Sequence, residues 1–376
     1  MDDLDADGAA NGDDDRDGDA DGDGRDFLAQ LSDPARSFDV RPRPVPCVLL
    51  LTRTSDADVD PVRHLLAGEG IRSVRLNADE IVATTGLSVA PDGRTVRLGG
   101  RRLSPTVTWI RHFSPAAIEG GADAARAAFQ RESWQAAAVQ LAAASGTAIH
   151  LPRPDPLSQL RLARRHGVAV PRTMLTTDPY DAVARFDCPR LVVKAAHHHF
   201  VEPAPGRLGG VFPVVVDRDR LSAAGPCPGP PVVVQEYVEH EAELRVYHVA
   251  GRIHTFRIGK ESPASLWTDP DGVEVRALAT PPRVAAATRT LAAAMSLRYA
   301  AFDFLVRRGA PVFLEANADG DWRWVERKAR TTRVTAAVAG MLAGLHRMAL
   351  AGPGRVELLG FLLKGAGRTD RDRGPS

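Results

Sequence analysis

The hydrophobic and polar positions of the chain predict a front part of alternating strands and helices. Residues 48–51 (Val-Leu-Leu-Leu) form a short apolar run followed by polar residues, which is typical of a buried parallel strand. A helix is predicted next, with Asp60 as its N-cap, Pro61 in its first turn and glycines after its end. Further strands are expected at 74–76, 87–90, 95–98 and 107–110. An Ala-rich helix is expected at 122–144. This pattern predicts a small α/β domain over residues 45–150.

After residue 150 the pattern of hydrophobic and polar positions changes and predicts consecutive strands with few helices. Strands are predicted at 190–195, 211–216, 231–238, 244–249, 252–258, 300–306 and 311–316. Helices are predicted at 157–167, 282–296 and about 331–350. Runs of antiparallel strands with a few helices indicate an α+β domain, which we place at residues 151–352. The fold class expected for the chain is therefore α/β plus α+β.

Both ends of the chain differ in composition from the rest. Residues 1–26 are almost entirely Asp, Gly and Ala and have nothing to bury, so we expect a disordered acidic tail at 1–44. Residues 353–376 are rich in Gly and Arg, and a flexible tail is expected there.

Composition limits the partners and the location of the protein. The 48 basic and 47 acidic residues nearly cancel, which argues against a nucleic acid partner. No apolar run reaches the length of a membrane span and no secretory signal is seen, so we expect no membrane contact and a cytoplasmic location. The three cysteines lie far apart and form neither a disulfide framework nor a metal spacing. Among 48 basic residues, four are lysines, Lys194, Lys260, Lys328 and Lys364, so each lysine calls for an explanation.

The strongest chemical signal is a pair of strands carrying hard oxygen ligands. Glu315 and Asn317 are two residues apart and share a strand face, and Asp303 lies on the predicted partner strand. Two carboxylates and an amide oxygen suit Mg²⁺ when phosphate oxygens and waters complete its shell. The alternative is a hairpin with a polar face turned to solvent.

Two further segments are candidates for binding a nucleotide. Lys194 ends an apolar strand and enters a predicted loop, 195–210, where it can reach a phosphate as a compact charge or simply end the strand at the surface. The segment Gln235–Val238 follows another apolar strand, and its backbone groups can read an adenine edge. Glu241 and Glu243 are both candidates for the ribose hydroxyls. Residues 197–199, three histidines, are open to a metal, a phosphate-facing or a solvated role.

Taken in their order along the chain, Lys194 first, then the segment 235–238, then the strand pair with the oxygen ligands, the three signals resemble the ATP-grasp ligase superfamily. The resemblance covers about residues 45–350. Four segments narrow the resemblance to the microviridin-type ligases: Trp-Ile-Arg-His at 109–112, the stretch 159–173 that begins with Gln-Leu, the hinge 235–246 and Asn-Ala-Asp-Gly-Asp-Trp-Arg-Trp at 317–324. Such enzymes crosslink ribosomal precursor peptides into graspetides by joining Asp or Glu side chains to Ser, Thr or Lys. The resemblance implies an ATP-grasp fold with an N-terminal pre-ATP-grasp α/β domain.

The resemblance also implies roles for the candidate residues. ATP lies between two sheets, Lys194 holds phosphates, and Glu243 takes the ribose. The adenine is read by the backbone of Gln235, Glu236, Tyr237 and Val238. Two magnesium ions are held by Asp303, Glu315 and Asn317. The donor to the acyl phosphate is expected to be Arg257 or, second, Arg245, although both are equally compatible with ordinary strand-face arginines.

The sequence departs from the family pattern at two positions. A lysine near the Gln-Leu motif contacts the nucleotide α-phosphate in the family, and here Pro156 takes that place. Arg161, Arg164 or Arg165 compensates, or the affinity for the nucleotide is lower. The Asn-Pro of the family is Asn317-Ala318.

Three hypotheses of function follow. The first is a ligase that macrocyclises a ribosomal precursor peptide through ω-ester or ω-amide bonds, with a leader groove near 109–134, Arg111 facing acidic peptide side chains, and a homodimeric state. Trp322 and Trp324 then lie beside the acceptor or, alternatively, in the core. The second is an ATP-grasp ligase that joins amino acids or dipeptides. The third is a degenerate ATP-grasp protein that binds peptide without catalysis.

Overall fold

The computed structural model describes residues 43–83, 86–114, 118, 123–149, 154–196, 200–204, 207–210 and 212–351. The predicted tails at 1–44, apart from its last two residues, and at 353–376 lie outside the described residues, as do the three histidines at 197–199. The compact unit of the chain begins at Pro44, one residue before the predicted start of ordered chain. The domain boundary near residue 150 stays a prediction.

The front part is a six-stranded sheet with helices, as the alternating pattern predicts. Its strands are β1 (Val45–Thr52), β2 (Ser73–Asn77), β3 (Ser88–Val89), β4 (Val96–Leu98), β5 (Arg101–Ile110) and β6 (Thr147–Ile149). They run in the order β2-β1-β5-β4-β3, and β6 pairs with β5. β1, β2, β5 and β6 pair in parallel, whereas β3 and β4 form an antiparallel hairpin on β5.

The helices of the front part are α1 (Val59–Gly68) and α2 (Ala124–Ala143), with a 3-10 helix at Ala78–Ala83. The predicted cap of α1 is two residues too late, because Asp58 holds the N-cap position, the helix begins at Val59, and Asp60 lies inside its first turn. Asp58 precedes the helix, but its carboxylate accepts hydrogen bonds from Trp322 and Arg323 instead of capping α1.

A four-stranded antiparallel sheet follows, formed by β7 (Thr173–Thr176), β8 (Arg190–Ala195), β11 (Val214–Asp217) and β12 (Val232–Glu236) in the order β11-β8-β12-β7. Two short helices, α4 (Asp181–Arg185) and α5 (Arg218–Ala224), lie between its strands along the chain. The loop predicted at 195–210 is wrong, because a two-stranded hairpin of β9 (Phe200–Ala204) and β10 (Arg207–Gly210) occupies it.

The largest sheet of the rear part has five antiparallel strands. They are β13 (Ala242–Val249), β14 (Arg252–Gly259), β15 (Glu274–Leu278), β16 (Tyr299–Arg307) and β17 (Ala310–Asn317), in the order β15-β14-β13-β16-β17. The helices of this part are α3 (Pro156–Arg165), α6 (Ser265–Thr268), α7 (Pro282–Ala294), α8 (Arg323–Ala329) and α9 (Arg333–Ala351). Besides β9 and β10, the sequence pattern missed β6, β7, β15, the 3-10 helix, α4, α5, α6 and α8, which are all too short to show a period.

The two faces of the five-stranded sheet pack against different partners. On one face, Leu244, Phe302 and Phe304 share an apolar cluster with residues of α3 and α7. On the other face, Tyr247 and Tyr299 share a cluster with the front sheet and α9. The front sheet and the five-stranded sheet are therefore joined by a common apolar core.

Among the described residues, one helix, α9, is long and apolar enough to cross a membrane by composition. Half of its apolar window is buried inside the protein. Val334, Val338 and Leu342 on this helix are fully buried in the core shared with the front sheet. The hydropathy of α9 is therefore explained by its packing.

Candidate active site

The structure brings Asp303, Glu315 and Asn317 together on one face of the five-stranded sheet. Asp303 of β16 lies directly opposite Glu315 of β17, and the next pair along this face is Ala301 with Asn317. The Asn317 amide nitrogen donates to Glu315 at 2.9 Å and lies 3.4 Å from an Asp303 oxygen. Of the three oxygen-bearing side chains predicted from the strand alternation, Asn317 thus contacts both carboxylates, which lie opposite each other in the strand pairing.

Arg245 joins this group from the neighbouring strand. It lies opposite Asp303 in the pairing of β13 with β16, and its Nη1 donates to both Asp303 oxygens at 3.1 and 3.0 Å. Both side chains are mostly buried. Arg245 is therefore held at the metal-ligand candidates by a charge-assisted hydrogen bond.

Lys194 reaches the same site from the other sheet. Its Nζ lies 3.8 Å from a Glu315 oxygen, and both side chains are shielded from solvent for the most part. Because β8 belongs to the four-stranded sheet and β17 to the five-stranded sheet, this ion pair bridges the two sheets. It marks the space between them as the place where phosphate and metal candidates meet.

The structure distinguishes the two candidates for the ribose. The Glu241 carboxylate accepts from the backbone N–H of Arg308 at 2.7 Å and of Gly309 at 3.3 Å, and so holds the turn between β16 and β17. Glu243 instead faces the site two residues before Arg245, where its carboxylate pairs with Lys260 at 2.6 Å. Glu243 remains the ribose candidate, and Lys260 joins the site as a cation that the sequence reasoning did not place.

Burial and neighbouring charges compete for the protonation of Asp303. Burial raises the pKa of Asp303 to about 6, against the Arg245 guanidinium, which lowers it. Glu315 and Glu243 add to the rise, and Lys260 opposes it. Burial disfavours the charged form of Arg245, but Asp303 raises the pKa of Arg245 above its ordinary value. The carboxylates of Asp303, Glu315 and Glu243 therefore repel one another, and a bound cation would reduce this repulsion.

The candidate adenine-binding segment consists of the last two residues of β12 and the two residues after it, and it packs against the five-stranded sheet through Val238. The backbone N–H of Glu236 donates to the Arg172 carbonyl and that of Tyr237 to the Arg190 carbonyl, so both N–H groups already have backbone partners. The Gln235 side chain is buried and donates to Thr173 at 2.9 Å. Val238 packs against residues of β16 and β17.

Arg257 is not brought together with the other site candidates. It lies opposite Leu244 in the pairing of β13 with β14, on the sheet face away from Arg245 and Glu243. Its side chain is exposed and donates to the carbonyl of Glu241 at 3.2 Å. Of the two predicted donors, Arg245 therefore lies at the carboxylates and Arg257 does not.

The prediction that Arg111 faces peptide side chains is wrong, because Arg111 is buried to 1% exposure. Its guanidinium pairs with Asp56 at 3.0 Å, Asp58 at 3.3 Å and Asp321 at 3.2 Å. The sequence offered no sign that these acids converge, because they lie in segments more than 50 residues from Arg111 in one direction and more than 200 in the other.

Arg111 is also enclosed by the aromatic residues of the shared core. Its guanidinium lies 5.0 Å from the ring centre of Trp109 and 4.5 Å from that of Trp322. Trp322 is fully buried and donates to Thr335 at 2.9 Å, and Trp324 packs partly buried against the same core. Both tryptophans therefore lie in or against the core, which was the second of the two expected positions.

The segment after Asn317 passes close to Arg245. A Cβ on Gly320 would lie 2.4 Å from the Ala301 Cβ and 3.2 Å from Arg245 Nη2, so a side chain at this position would collide with β16. The Tyr247 hydroxyl donates to the Asp321 carbonyl at 2.6 Å, and Tyr299 donates to the Gly320 carbonyl. Glycine at 320 thus allows the segment to lie against the site.

The donor set fits Mg²⁺. Asp303, Glu315 and Asn317 each carry a hard oxygen atom, and the Asn317 amide nitrogen contacts a carboxylate oxygen of each of the other two. Hard oxygen atoms are the ligands that Mg²⁺ takes in phosphate-binding sites. Another acidic cluster, Asp56, His112 and Asp321, also brings ligand atoms within 4.8 Å of one another. The Arg111 guanidinium contacts two of these acids, so this second cluster already has a cation.

Comparison with known proteins identifies the fold. No family model and no curated protein sequence matches the chain. Among solved structures, the ATP-grasp ligase PsnB, complexed with a phosphomimetic variant of its minimal precursor, Mg and ADP, is 21% identical with a TM-score of 0.62, covering 80% of this chain and 99% of PsnB.

Two further solved structures are similar to the same extent. A RiPP-associated ATP-grasp ligase of Chryseobacterium gregarium, in complex with ADP and a leader and core peptide, is 20% identical with a TM-score of 0.64, covering 80% of this chain and 97% of that chain. The macrocyclase MdnC of Microcystis aeruginosa MRC, bound with the precursor peptide MdnA, is 21% identical with a TM-score of 0.63, covering 79% and 99%. The ATP-grasp fold predicted from the sequence is therefore confirmed.

Proposed function

We propose that this protein is an ATP-dependent ligase that macrocyclises a ribosomal precursor peptide by joining an Asp or Glu side chain to a Ser, Thr or Lys side chain. The observation that carries the proposal is the bridge between Lys194 of the four-stranded sheet and Glu315 of the five-stranded sheet, at 3.8 Å. It lies beside Asp303, Asn317 and Arg245. Solved structures of the same fold contain ADP, Mg and precursor peptides, which supports ATP and Mg²⁺ as the cosubstrate and metal here.

The residues of the chain have separate tasks in this reaction. The backbone of 235–238 binds the adenine, Glu243 orients the ribose, and Lys194 and Arg245 neutralise phosphate oxygens. Asp303, Glu315 and Asn317 would hold Mg²⁺, which supplies charge neutralisation for the transferring phosphoryl group.

The bond changes follow from the groups that meet in the site. An oxygen of the peptide carboxylate forms a bond to the γ-phosphorus while the bond from that phosphorus to ADP breaks, which gives an acyl phosphate and ADP. The hydroxyl or amine of the acceptor then forms a bond to the carbonyl carbon, loses its proton to solvent, and phosphate leaves with the bonding electrons. Positioning and charge neutralisation by Lys194 and Arg245 provide the catalysis.

Arg245 is the donor to the acyl phosphate in this proposal. It already contacts Asp303, and Gly320 lets the following segment approach it closely. Arg257 lies on the opposite face of the sheet, so we assign it no contact with the reacting groups.

The proposed partner is a precursor peptide with a leader. A groove of about 490 Å³ follows α2 within the predicted leader region, lined by Leu87, Arg126, Phe129, Gln130, Ser133, Trp134 and Ala137. Phe129 lines this groove and is 73% exposed. A homodimer, a cytoplasmic location and the absence of nucleic acid and membrane partners belong to the same proposal.

The test is ADP release by the purified protein with ATP and Mg²⁺, with and without a precursor peptide encoded next to its gene, with mass spectra of the peptide taken in parallel. The proposal expects ADP formation that depends on the peptide, with the mass of one water lost per bond formed. ADP release with amino acids but not with peptide would favour the small-molecule ligase instead. Tight peptide binding with no ADP release under any condition would favour the degenerate binder.

A further inference from the structure

The candidate site contains three cations and three carboxylates that are paired one to one. Among the described residues, these ion pairs are Arg245 with Asp303 at 3.0 Å, Lys194 with Glu315 at 3.8 Å and Lys260 with Glu243 at 2.6 Å. Nucleotide and metal would compete for both members of each pair, because phosphates take cations and Mg²⁺ or ribose hydroxyls take carboxylates. Lys260 is the cation in this set that has no role so far.

Lys260 has the environment of a site residue. It follows directly after β14, and its side chain is 11% exposed, against 17% for Glu243. Its charge also acts on Asp303, where it lowers the pKa of the carboxyl. Lys260 therefore contacts the ribose candidate Glu243 directly.

Lys328 shows what a lysine outside the site looks like in this protein. It is exposed, and its Nζ reaches the carbonyl of Asp271 at 3.5 Å. Lysine is rare in this chain and arginine is the usual cation. A largely buried lysine paired with an acidic site residue therefore needs an explanation that a surface lysine does not.

Residues 155–160 carry no basic side chain, and Pro156 stands where the family pattern has a lysine. Pro156 is the first residue of α3, and Asp155 caps the helix by accepting from the Ser158 N–H at 2.9 Å. The Gln159 side chain holds this helix end to β17 through the backbone of Ala316. Arg161, one of the arginines considered as a substitute, is exposed and donates to Ser158.

We propose that Lys260 binds the phosphate next to the ribose of ATP and so supplies the cation that residues 155–160 lack. The proposal rests on the function proposed above. Glu243 and Lys260 act as a pair: the ribose hydroxyls replace the ammonium at the Glu243 carboxylate, and the ammonium turns to the adjacent α-phosphate oxygens. A lysine suits this exchange because its compact charge sits on a flexible four-carbon stem.

A nucleotide series distinguishes contact with this phosphate from contact with the others. We would measure the binding of adenosine, AMP, ADP and ATP to the full chain by calorimetry, in the presence of Mg²⁺. The proteins compared are the wild type, Lys260→Met, which keeps the length of the side chain, Lys260→Arg, and the control Lys328→Met.

The expected result is a loss of about 10- to 100-fold in the affinity of Lys260→Met for AMP and for ADP by the same factor, with adenosine unchanged. Lys260→Arg should recover most of the loss, and Lys328→Met should bind all four ligands like the wild type. A loss for ADP and ATP but not for AMP would overturn the inference, because it would place Lys260 at a later phosphate. An equal loss for adenosine would overturn it as well, because Lys260 would then act only by holding Glu243.

A thermal unfolding curve of each variant keeps the comparison interpretable. If Lys260→Met unfolds early, the comparison is made between Lys260→Arg and Lys260→Gln at a temperature where both are folded, with the same expectation that the loss begins at AMP. A wild-type protein that binds no ATP would overturn the proposed function together with this inference. A wild-type protein that binds ATP while Lys260→Met binds AMP normally would overturn this inference alone.

Discussion

At the scale of single residues, the candidate site depends on charges that are held close together away from water. Asp303 shows the effect most clearly, since burial raises its pKa to about 6 although Arg245 contacts both of its oxygens. Such a group favours any arrangement that adds positive charge. The acid that lies opposite Asp303 in the strand pairing is Glu315.

Glu315→Gln is expected to lower peptide-dependent ADP release on the order of 100-fold and to raise the Mg²⁺ concentration needed for half-maximal activity. The reason is that the substitution removes a charged oxygen ligand while keeping the shape of the side chain. The matched control is Glu274→Gln on β15, an exposed glutamate paired with Arg276. An unchanged Mg²⁺ dependence in Glu315→Gln would show that this carboxylate does not hold the metal.

Asp58 is a second buried acid with a shifted pKa. Burial raises the pKa of Asp58 to about 6, although the nearby Arg111 guanidinium lowers it. Because this folded pKa lies above the ordinary value of 3.8, the folded state binds the proton more tightly than the unfolded state does. The contribution of Asp58 to stability is therefore largest below pH 4 and is lost as the pH rises to about 6.

We expect the free energy of unfolding of the wild type to fall by up to roughly 3 kcal/mol between pH 4 and pH 6 because of Asp58. The Asp58→Asn variant should not show this fall. Urea unfolding of the wild type and the variant at pH 4.5 and pH 7 measures the difference. Asp60→Asn, at an exposed carboxylate on α1, serves as the control and should leave the pH dependence as in the wild type. Parallel pH profiles for Asp58→Asn and the wild type would contradict the assignment.

At the scale of elements, strands and helices place the site residues through contacts that are distant along the chain. Gln159 on α3 is an example, because its buried side chain accepts from the Ala316 N–H at 2.7 Å and donates to the Ala316 carbonyl at 3.1 Å. Ala316 lies between Glu315 and Asn317, so this helix fixes the strand that carries two metal-ligand candidates.

Gln159→Ala is expected to lower the free energy of unfolding by about 3 kcal/mol, because two buried backbone groups lose their partners. It should also weaken Mg²⁺-dependent ADP release, since β17 loses a restraint next to Glu315. Chemical denaturation and the activity assay check the two effects. Gln140→Ala, at an exposed position of α2, is the control, and equal stability of the two variants would count against this role.

At the scale of the whole molecule, the front sheet and the five-stranded sheet are held together by a core with a charge at its centre. Arg111 lies against the rings of Trp109 and Trp322 and pairs with acids from two other segments, Asp56 and Asp58 before α1 and Asp321 before α8. Removing a partner from a buried ion network is costly because the remaining charges stay buried without compensation.

Arg111→Met should therefore lower the free energy of unfolding by about 3–5 kcal/mol. The measurement is urea unfolding at pH 7, where Asp56 is charged because its pKa lies below the ordinary value: burial opposes this, and Arg111 and His112 outweigh it. Arg101→Met, at the exposed start of the same strand, is the control and should unfold like the wild type. A stable Arg111→Met protein would mean that Asp56, Asp58 and Asp321 become protonated or hydrated when the guanidinium is removed.

The last prediction concerns the groove along α2. Phe129→Asp is expected to weaken binding of the precursor peptide about 10-fold or more, since it replaces an exposed aromatic anchor by a charge. ATP binding should stay unchanged. Fluorescence anisotropy with a labelled peptide checks the first point and calorimetry the second. Met348→Asp, at a similarly exposed apolar residue of α9, should leave both affinities unaltered, and an equal loss in this control would remove the case for the groove.

The sequence by itself determined the elements with a clear period and the chemistry of the donor set. Strand alternation predicts that Glu315 and Asn317 share a face with Asp303 within reach, and the structure places them so. The Arg-rich composition drew attention to Lys194 and also to Lys260, although no local pattern assigned a place to Lys260.

Tertiary structure decided what local periodicity does not contain. Simple alternation would place Phe313 on the same face as Glu315, but the register shifts after Asp303, so Phe313 enters the core opposite Phe304 while Glu315 faces the site. The face of Arg257, the burial of Arg111 among distant acids and the pairing of Lys260 with Glu243 follow from strand pairing and sheet packing. Residues far apart along the chain meet in each case, and a sequence pattern reports only neighbours along the chain.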